Sequence, residues 1–236
     1  MISNVEYAVN IHLETRDNAR VSLGRRSINI RVPNNLPREE LFKTIRSMKA
    51  WAQKKILETP ERYTPKEHKN YIDGQTLRIG TEDYLLRIDF RDKESSSARI
   101  AGHTILLRVS SHLSETVAQK HIATLISRSV ARKRLPELQK RIENLNDLHF
   151  KQGLGKIFFK NNTSNWGSCS TKGNINISTR LLFSPEEVLE YVCIHELAHL
   201  IEHNHSERFW ALVNSAMPNY NEKKNWLKEN GSTCEF

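Results

Sequence analysis

The sequence predicts an α+β protein: a β-rich region with one helix over residues 1–110, then a mostly helical region over residues 111–236. Three observations support this. Apolar residues alternate with polar ones in most apolar stretches of the first half, the period of a half-buried strand. They recur at three- and four-residue spacing through most of the second half, the period of a helix. The change falls near Ser110–Ser111, and no repeat or low-complexity tract interrupts the chain.

Taken in order, Val5–Leu13 alternates imperfectly, whereas Arg20–Leu23 and Ile28–Val32 alternate well, with Gly24 supplying the turn between them. Pro33 and Pro37 then punctuate the chain. From Arg38 the period changes: Leu41, Ile45, Met48, Ala52 and Ile56 predict a helix over about 37–57, with Pro37 suited to its start. Strands follow at Thr76–Ile79, Tyr84–Phe90 and Thr104–Val109, and polar Arg91–Ala98 is expected as an exposed loop or hairpin tip. A helix is expected over Ser114–Leu135, ended by Pro136, which opens another through about Leu148. Gly155–Lys160 reads as a short strand, Asn161–Gly173 as a loop, and Asn174–Ser178 as another strand.

Composition narrows the function classes. A chain of 236 residues, 38% hydrophobic and 27% charged, can bury a core without disulfides and is not wholly disordered. No apolar run approaches the roughly 18 residues needed to cross a bilayer. The first residues lack the basic and apolar regions of a secretory signal. Cys169, Cys193 and Cys234 show no CxxC spacing, which argues against a disulfide scaffold or a cysteine zinc site and fits a reducing cytoplasm. The net charge of +9 is concentrated: residues 16–55 carry eleven Lys/Arg against three Asp/Glu, and residues 120–160 ten against three. These basic segments could meet nucleic acid, although solvated helix faces are the commoner reason for such charge and no base-reading motif accompanies it.

The chemistry concentrates in one segment. Ser184-Pro185-Glu186-Glu187 has the marks of a helix start: an N-cap serine, a proline at the first position, a glutamate completing a capping box, and Phe183 and Val188 placed for a hydrophobic staple. The helix carries His195-Glu196-Leu197-Ala198-His199, an HExxH pattern. At about 100° per residue, His195 and His199 lie one turn and about 40° apart, so both imidazoles reach one metal. Glu196, about 100° round from His195, stands beside such a metal, where it can take a proton from a metal-activated water. The competing reading is a pair of core histidines with satisfied nitrogens.

Zinc on two helix histidines needs a third protein ligand and keeps one position for water. His203, His205, Glu207, Glu222 and Glu229 are the candidates. On an unbroken helix His203 stands about 12 Å along the axis from His195 and cannot share its metal. His205 can do so if the chain turns back. Asn204 tolerates the left-handed conformation at a helix end, and Ser206 looks like the cap of a new helix through Phe209, Trp210 and Val213. His205 is therefore the preferred third ligand. Cys169 has no histidine base in its neighbourhood of the sequence and reads as a loop cysteine, and Cys193 points about 200° away from His195 as a packing residue. Trp166 and Trp210 read as core aromatics bracketing the site.

The segments Asn165-Trp166-Gly167-Ser168-Cys169-Ser170-Thr171-Lys172-Gly173, His195-Glu196-Leu197-Ala198-His199 and Asn204-His205-Ser206-Glu207-Arg208-Phe209-Trp210 resemble, in order and spacing, the YgjP-like metallopeptidase family, which is similar to the SprT-like and WLM zincins. The resemblance implies a zincin-like C-terminal domain over 111–236 built around the HExxH helix. It implies one zinc on His195, His199 and His205, with Glu196 as the catalytic base of a hydrolase acting on peptide or protein substrates. Two departures stand out: Asn165 replaces the family's usual Arg, and Ile177-Ser178-Thr179-Arg180-Leu181 replaces its LNWRL. The gap from His199 to His205 also matches the metzincin signature, but Glu202 stands where that signature needs Gly, and Met217 reads as an ordinary helix or core methionine.

Gly173–Ser178 is expected as an edge strand that aligns an extended peptide, making Gly173, Ile175, Ile177 and Arg180 the candidate substrate-binding residues. Arg180, Tyr191 and Tyr220 are the candidates for supporting the oxyanion. The alternative is a nucleic-acid-associated protein: either a binding module whose zinc is structural, or a SprT-like protease acting on DNA-bound proteins through the basic segments.

Overall fold

A computed structural model of the chain describes residues 6–24, 27–63, 69–162 and 164–236, and divides them between two units, Met1–Glu67 and His68–Phe236. The start of the first expected strand, Val5, lies outside the described residues. In the first unit, β1 (Ala8–Glu14) runs parallel to β3 (Ser27–Pro33), and β2 (Arg20–Leu23) pairs antiparallel on its other side. Alternation in β3 turns Ile28, Ile30 and Val32 to one face, where they meet Ala52 and Ile56 of α1 (Arg38–Glu58). That helix follows Pro37 closely to the predicted bounds, and a short α2 (Pro60–Tyr63) follows it.

The second unit begins with four strands: β4 (Thr76–Ile79), β5 (Glu82–Arg91), β6 (Ser97–Ala101) and β7 (Thr104–Ser110). They form a sheet in the order β4-β5-β7-β6, with β5 and β7 parallel. The polar stretch read as a loop tip therefore contains part of a strand, Ser97–Ala101, held by antiparallel pairing with β7 rather than by its own propensity. The unit starts at His68 and not near Ser110–Ser111, because this sheet buries Tyr84, Leu86, Ile105, Leu107 and Val109 against Ile122, Ile126 and Val130 of the helix that follows it.

That helix, α3 (Glu115–Leu145), runs through Pro136 without a break and passes into a π-helical turn over Asn146–Phe150. The predicted stop at Pro136 does not occur. A mid-helix proline costs about 3 kcal/mol, but burial of Val130 on one side and of Leu138 and Ile142 on the other offsets it. The two ends of α3 serve different cores. Its first half covers the four-stranded sheet, and its second half joins a cluster with Ile175, Ile177, Val192, Cys193, Leu197, Phe209 and Val213.

This second cluster surrounds a small sheet in the order β8-β10-β9, from β8 (Ile157–Lys160), β9 (Gly167–Cys169) and β10 (Ile175–Ser178). Helices α4 (Glu186–Ala198), α5 (Glu207–Ala216) and α6 (Tyr220–Asn230) complete it. No helix among the described residues is long and apolar enough to cross a membrane, and no disulfide joins Cys169, Cys193 and Cys234.

Candidate active site

Helix α4 starts where the sequence predicts, but not by the predicted cap. Ser184 Oγ donates to the Leu181 carbonyl (2.8 Å), and no side-chain cap bond forms. Glu187 is drawn away to Lys223 (2.5 Å), while Phe183 packs on Phe236 instead of stapling to Val188, with ring centroids 4.6 Å apart. The start is held from α3 instead: Arg134 and Arg141 pair with Glu186 at 3.0 and 2.5 Å, and Arg141 reaches Glu190 at 3.5 Å. Three cations of the basic segment 120–160, Lys133 among them, are thus used inside the fold.

The helix ends at Ala198, with His199 as its C-cap at φ −68°, ψ −13°. Close turns follow, in which Leu200 N donates to Leu197 O (3.0 Å) and Glu202 N to Ala198 O (3.0 Å). The chain thus reverses earlier than expected, and Asn204 is not its left-handed pivot, since Lys151 is the one positive-φ residue other than glycine among those described. Asn204 instead accepts from the Ser206 backbone N–H (3.0 Å), and Ser206 Oγ caps α5 by accepting from Phe209 N (3.3 Å), as the sequence predicts.

This turn brings His195, His199 and His205 together, with one ring nitrogen from each lying within 4.8 Å of the others. His195 Nε2 and His205 Nε2 are 3.0 Å apart. His199 Nδ1 lies 3.0 Å from the Glu202 carbonyl, which can only accept, so the proton sits on Nδ1 and Nε2 keeps its lone pair. Burial pushes His195 down to about 3, helped by the neighbouring histidines and Lys224, and burial also lowers His199. Both are therefore neutral near pH 7, the form that binds metal. The buried His195 Nδ1 has no protein partner among the described residues. His203 is exposed and stands outside the cluster. The ring of Phe209, fully buried, lies 4.9, 4.5 and 4.7 Å from the three imidazoles and forms an apolar floor under them. Trp210 stacks on His205 (5.7 Å) and on Tyr220 (5.4 Å), which stacks in turn on Tyr191 (6.3 Å).

Glu196 is only 4% exposed, and burial raises its carboxyl to about 8. It packs against β9: a Cβ on Gly167 would lie 2.5 Å from Glu196 Oε1, so only glycine lets strand and carboxylate approach this closely. The loop read over Asn161–Gly173 hides this strand, whose one signal was a glycine between Trp166 and Ser168. Cys169, two residues on, has its thiol pushed up to about 11 by burial and by the charge of Glu196. That supports an inert cysteine.

The expected edge strand is corrected. β10 lies between β8 and β9, so both its edges are paired, and β9 is an edge of the sheet. Ile175 and Ile177 are fully buried core residues. Gly173, at φ +72°, closes the β9–β10 turn by donating to Ser170 O (2.9 Å). The Arg180 guanidinium lies 4.0 Å over Trp166 and donates to Gly231 O (2.6 Å) and Cys234 O (3.0 Å), bracing the last residues. These four are structural, which leaves Tyr191 and Tyr220 of the three oxyanion candidates.

A buried carboxylate beside three convergent imidazoles, on a helix flanked by a sheet edge, defines the class of metal-dependent hydrolases. Residues 17–230 match the family described as YgjP-like, metallopeptidase domain. The chain belongs to that family, and it is a metal-dependent peptidase. Among solved structures it is similar to the metallopeptidase zymogen of Pyrococcus abyssi abylysin, at 27% identity over 39% of this chain and 92% of that one, with a TM-score of 0.36. It is also similar to the metallopeptidase zymogen of Methanocaldococcus jannaschii jannalysin, at 18% identity over 39% and 93%, with a TM-score of 0.34. Scores this low do not inform the fold. No curated protein matches the chain.

Proposed function

We propose that the chain is a zinc peptidase in which His195, His199 and His205 hold the metal and Glu196 is the general base. The donor set fits zinc, since two nitrogens on a tetrahedral zinc stand about 3.3 Å apart and His195 and His205 already offer theirs at 3.0 Å. When bound, zinc would polarise the scissile carbonyl and make the attacking water more acidic. Glu196 takes that water's proton and returns it to the leaving amine, and its burial keeps bulk water from competing. Gly167 and Cys169 line the edge where an extended peptide adds to β9, beside this carboxylate.

The observation that carries the reading is the placement of Glu196 against Gly167 and beside a cluster of three ligands, not four. A closed structural zinc site needs a fourth protein ligand, and no fourth His, Cys, Asp or Glu joins the cluster among the described residues. The comparisons give nucleic-acid binding no support. The test is cleavage of a mixed peptide library by wild type and by Glu196→Gln, with zinc measured in both. Glu196→Gln should keep about one zinc and lose turnover by at least about a hundredfold. Equal turnover in the two proteins would overturn the role of Glu196.

A further inference from the structure

The two edges of β9 are not alike. Ser178 N donates to Trp166 O (2.8 Å) and Ser170 N to Asn174 O (3.0 Å), so Trp166, Ser168 and Ser170 face β10. In an antiparallel pair the intervening residues direct their N–H and C=O outward. These are Gly167 and Cys169, opposite Ile177 and Ile175. The Gly167 carbonyl is nevertheless engaged, since the exposed Asn165 side chain reaches round and donates Nδ2 to it at 2.9 Å. A side-chain amide thus stands where the N–H of an added strand would bind, at the residue that packs on Glu196.

We infer that Asn165 is a specificity-determining residue that competes with peptide backbone for the Gly167 carbonyl and so weakens the hold on extended substrates. The inference rests on the reading of this edge as the peptide site. An incoming peptide must displace the Asn165 amide and replace its hydrogen bond, so the net gain at that position is small. Peptide reaching only Cys169 escapes the competition. The chain therefore favours ligands whose backbone ends before Gly167, or that bring a further interaction there.

Binding tests this without relying on turnover. Fluorescein-labelled nonapeptides of mixed sequence are titrated by anisotropy into zinc-loaded Glu196→Gln, alone and combined with Asn165→Ala or Asn165→Leu. Leucine keeps the bulk of asparagine but donates nothing. Both double variants should bind about three- to tenfold tighter, and backbone N-methylation of the peptides should erase the gain. Unchanged or weaker binding overturns the inference, as does a gain with alanine alone, which would mean bulk and not the hydrogen bond. The hydrolytic reading fails separately, if wild type cleaves none of the peptides whatever the affinities show.

Discussion

Glu196 is a carboxylate that the fold keeps from water, and its proton affinity reports this. In metal-free protein burial raises it from its ordinary 4.5 to about 8. Between those values the folded chain holds a proton that the unfolded chain has released, so stability falls as pH rises through this window and levels off above it. Metal-free Glu196→Gln lacks the effect while keeping that of His195. Its thermal unfolding temperature should match wild type near about pH 4 and exceed it near about pH 8, by on the order of a few kcal/mol of stability. Parallel curves would show that the carboxylate is solvated. The ligand set has an equally direct check. His205→Ala should weaken zinc binding about a hundredfold or more while His203→Ala leaves it nearly unchanged, and indistinguishable titrations would count against His205. Gly167→Ala places a methyl group on the Glu196 carboxylate, so turnover should fall about ten- to a hundredfold at unchanged zinc content. Full activity would mean that the carboxylate has room to move. The placing of His195 and His199 on one helix face was legible because helical spacing fixes directions, whereas Gly167, which packs on Glu196, comes from a strand far off in sequence.

At the scale of elements, local sequence signals specify structure where they are periodic and fail to where strand pairing or ion pairs decide. Helix α1 and strands β4, β5 and β7 follow their apolar periods closely. Strand β9 is three residues, Gly-Ser-Cys, with no β-propensity of its own, and exists because β10 pairs with it. The capping box before α4 is a good local motif defeated by longer reach, since Lys223 claims the Glu187 carboxylate that would complete it and Ser184 Oγ turns back to the Leu181 carbonyl. Pro136 misled for a similar reason, being outweighed by buried neighbours on both sides. If packing alone sustains α3 there, Pro136→Ala restores a backbone donor and should stabilise the protein by about 2 kcal/mol. A lower melting temperature would instead mean that the proline shapes the helix.

Over the whole molecule, the family match at residues 17–230 spans both compact units, yet every residue proposed for metal binding and catalysis lies in the second. The sequence boundary near Ser110 followed a change of secondary structure, and secondary structure does not mark which elements share a core. The 31 residues of α3 are a rod of about 46 Å with the four-stranded sheet clamped on one half and the core that carries the three-histidine cluster on the other. Such a shared rod makes the two cores partners in a single melting event, because neither can dissolve without stripping half of the helix that the other needs. Leu107→Ala, in β7 and outside the cluster that holds the site, should therefore cost about 2–5 kcal/mol and lower the temperature at which the protein releases its metal by as much as it lowers the unfolding temperature of the sheet. Metal release unmoved by this change would show two transitions in place of one. Resistance to heat at the catalytic centre is, on this view, set by leucines and isoleucines that never approach a substrate.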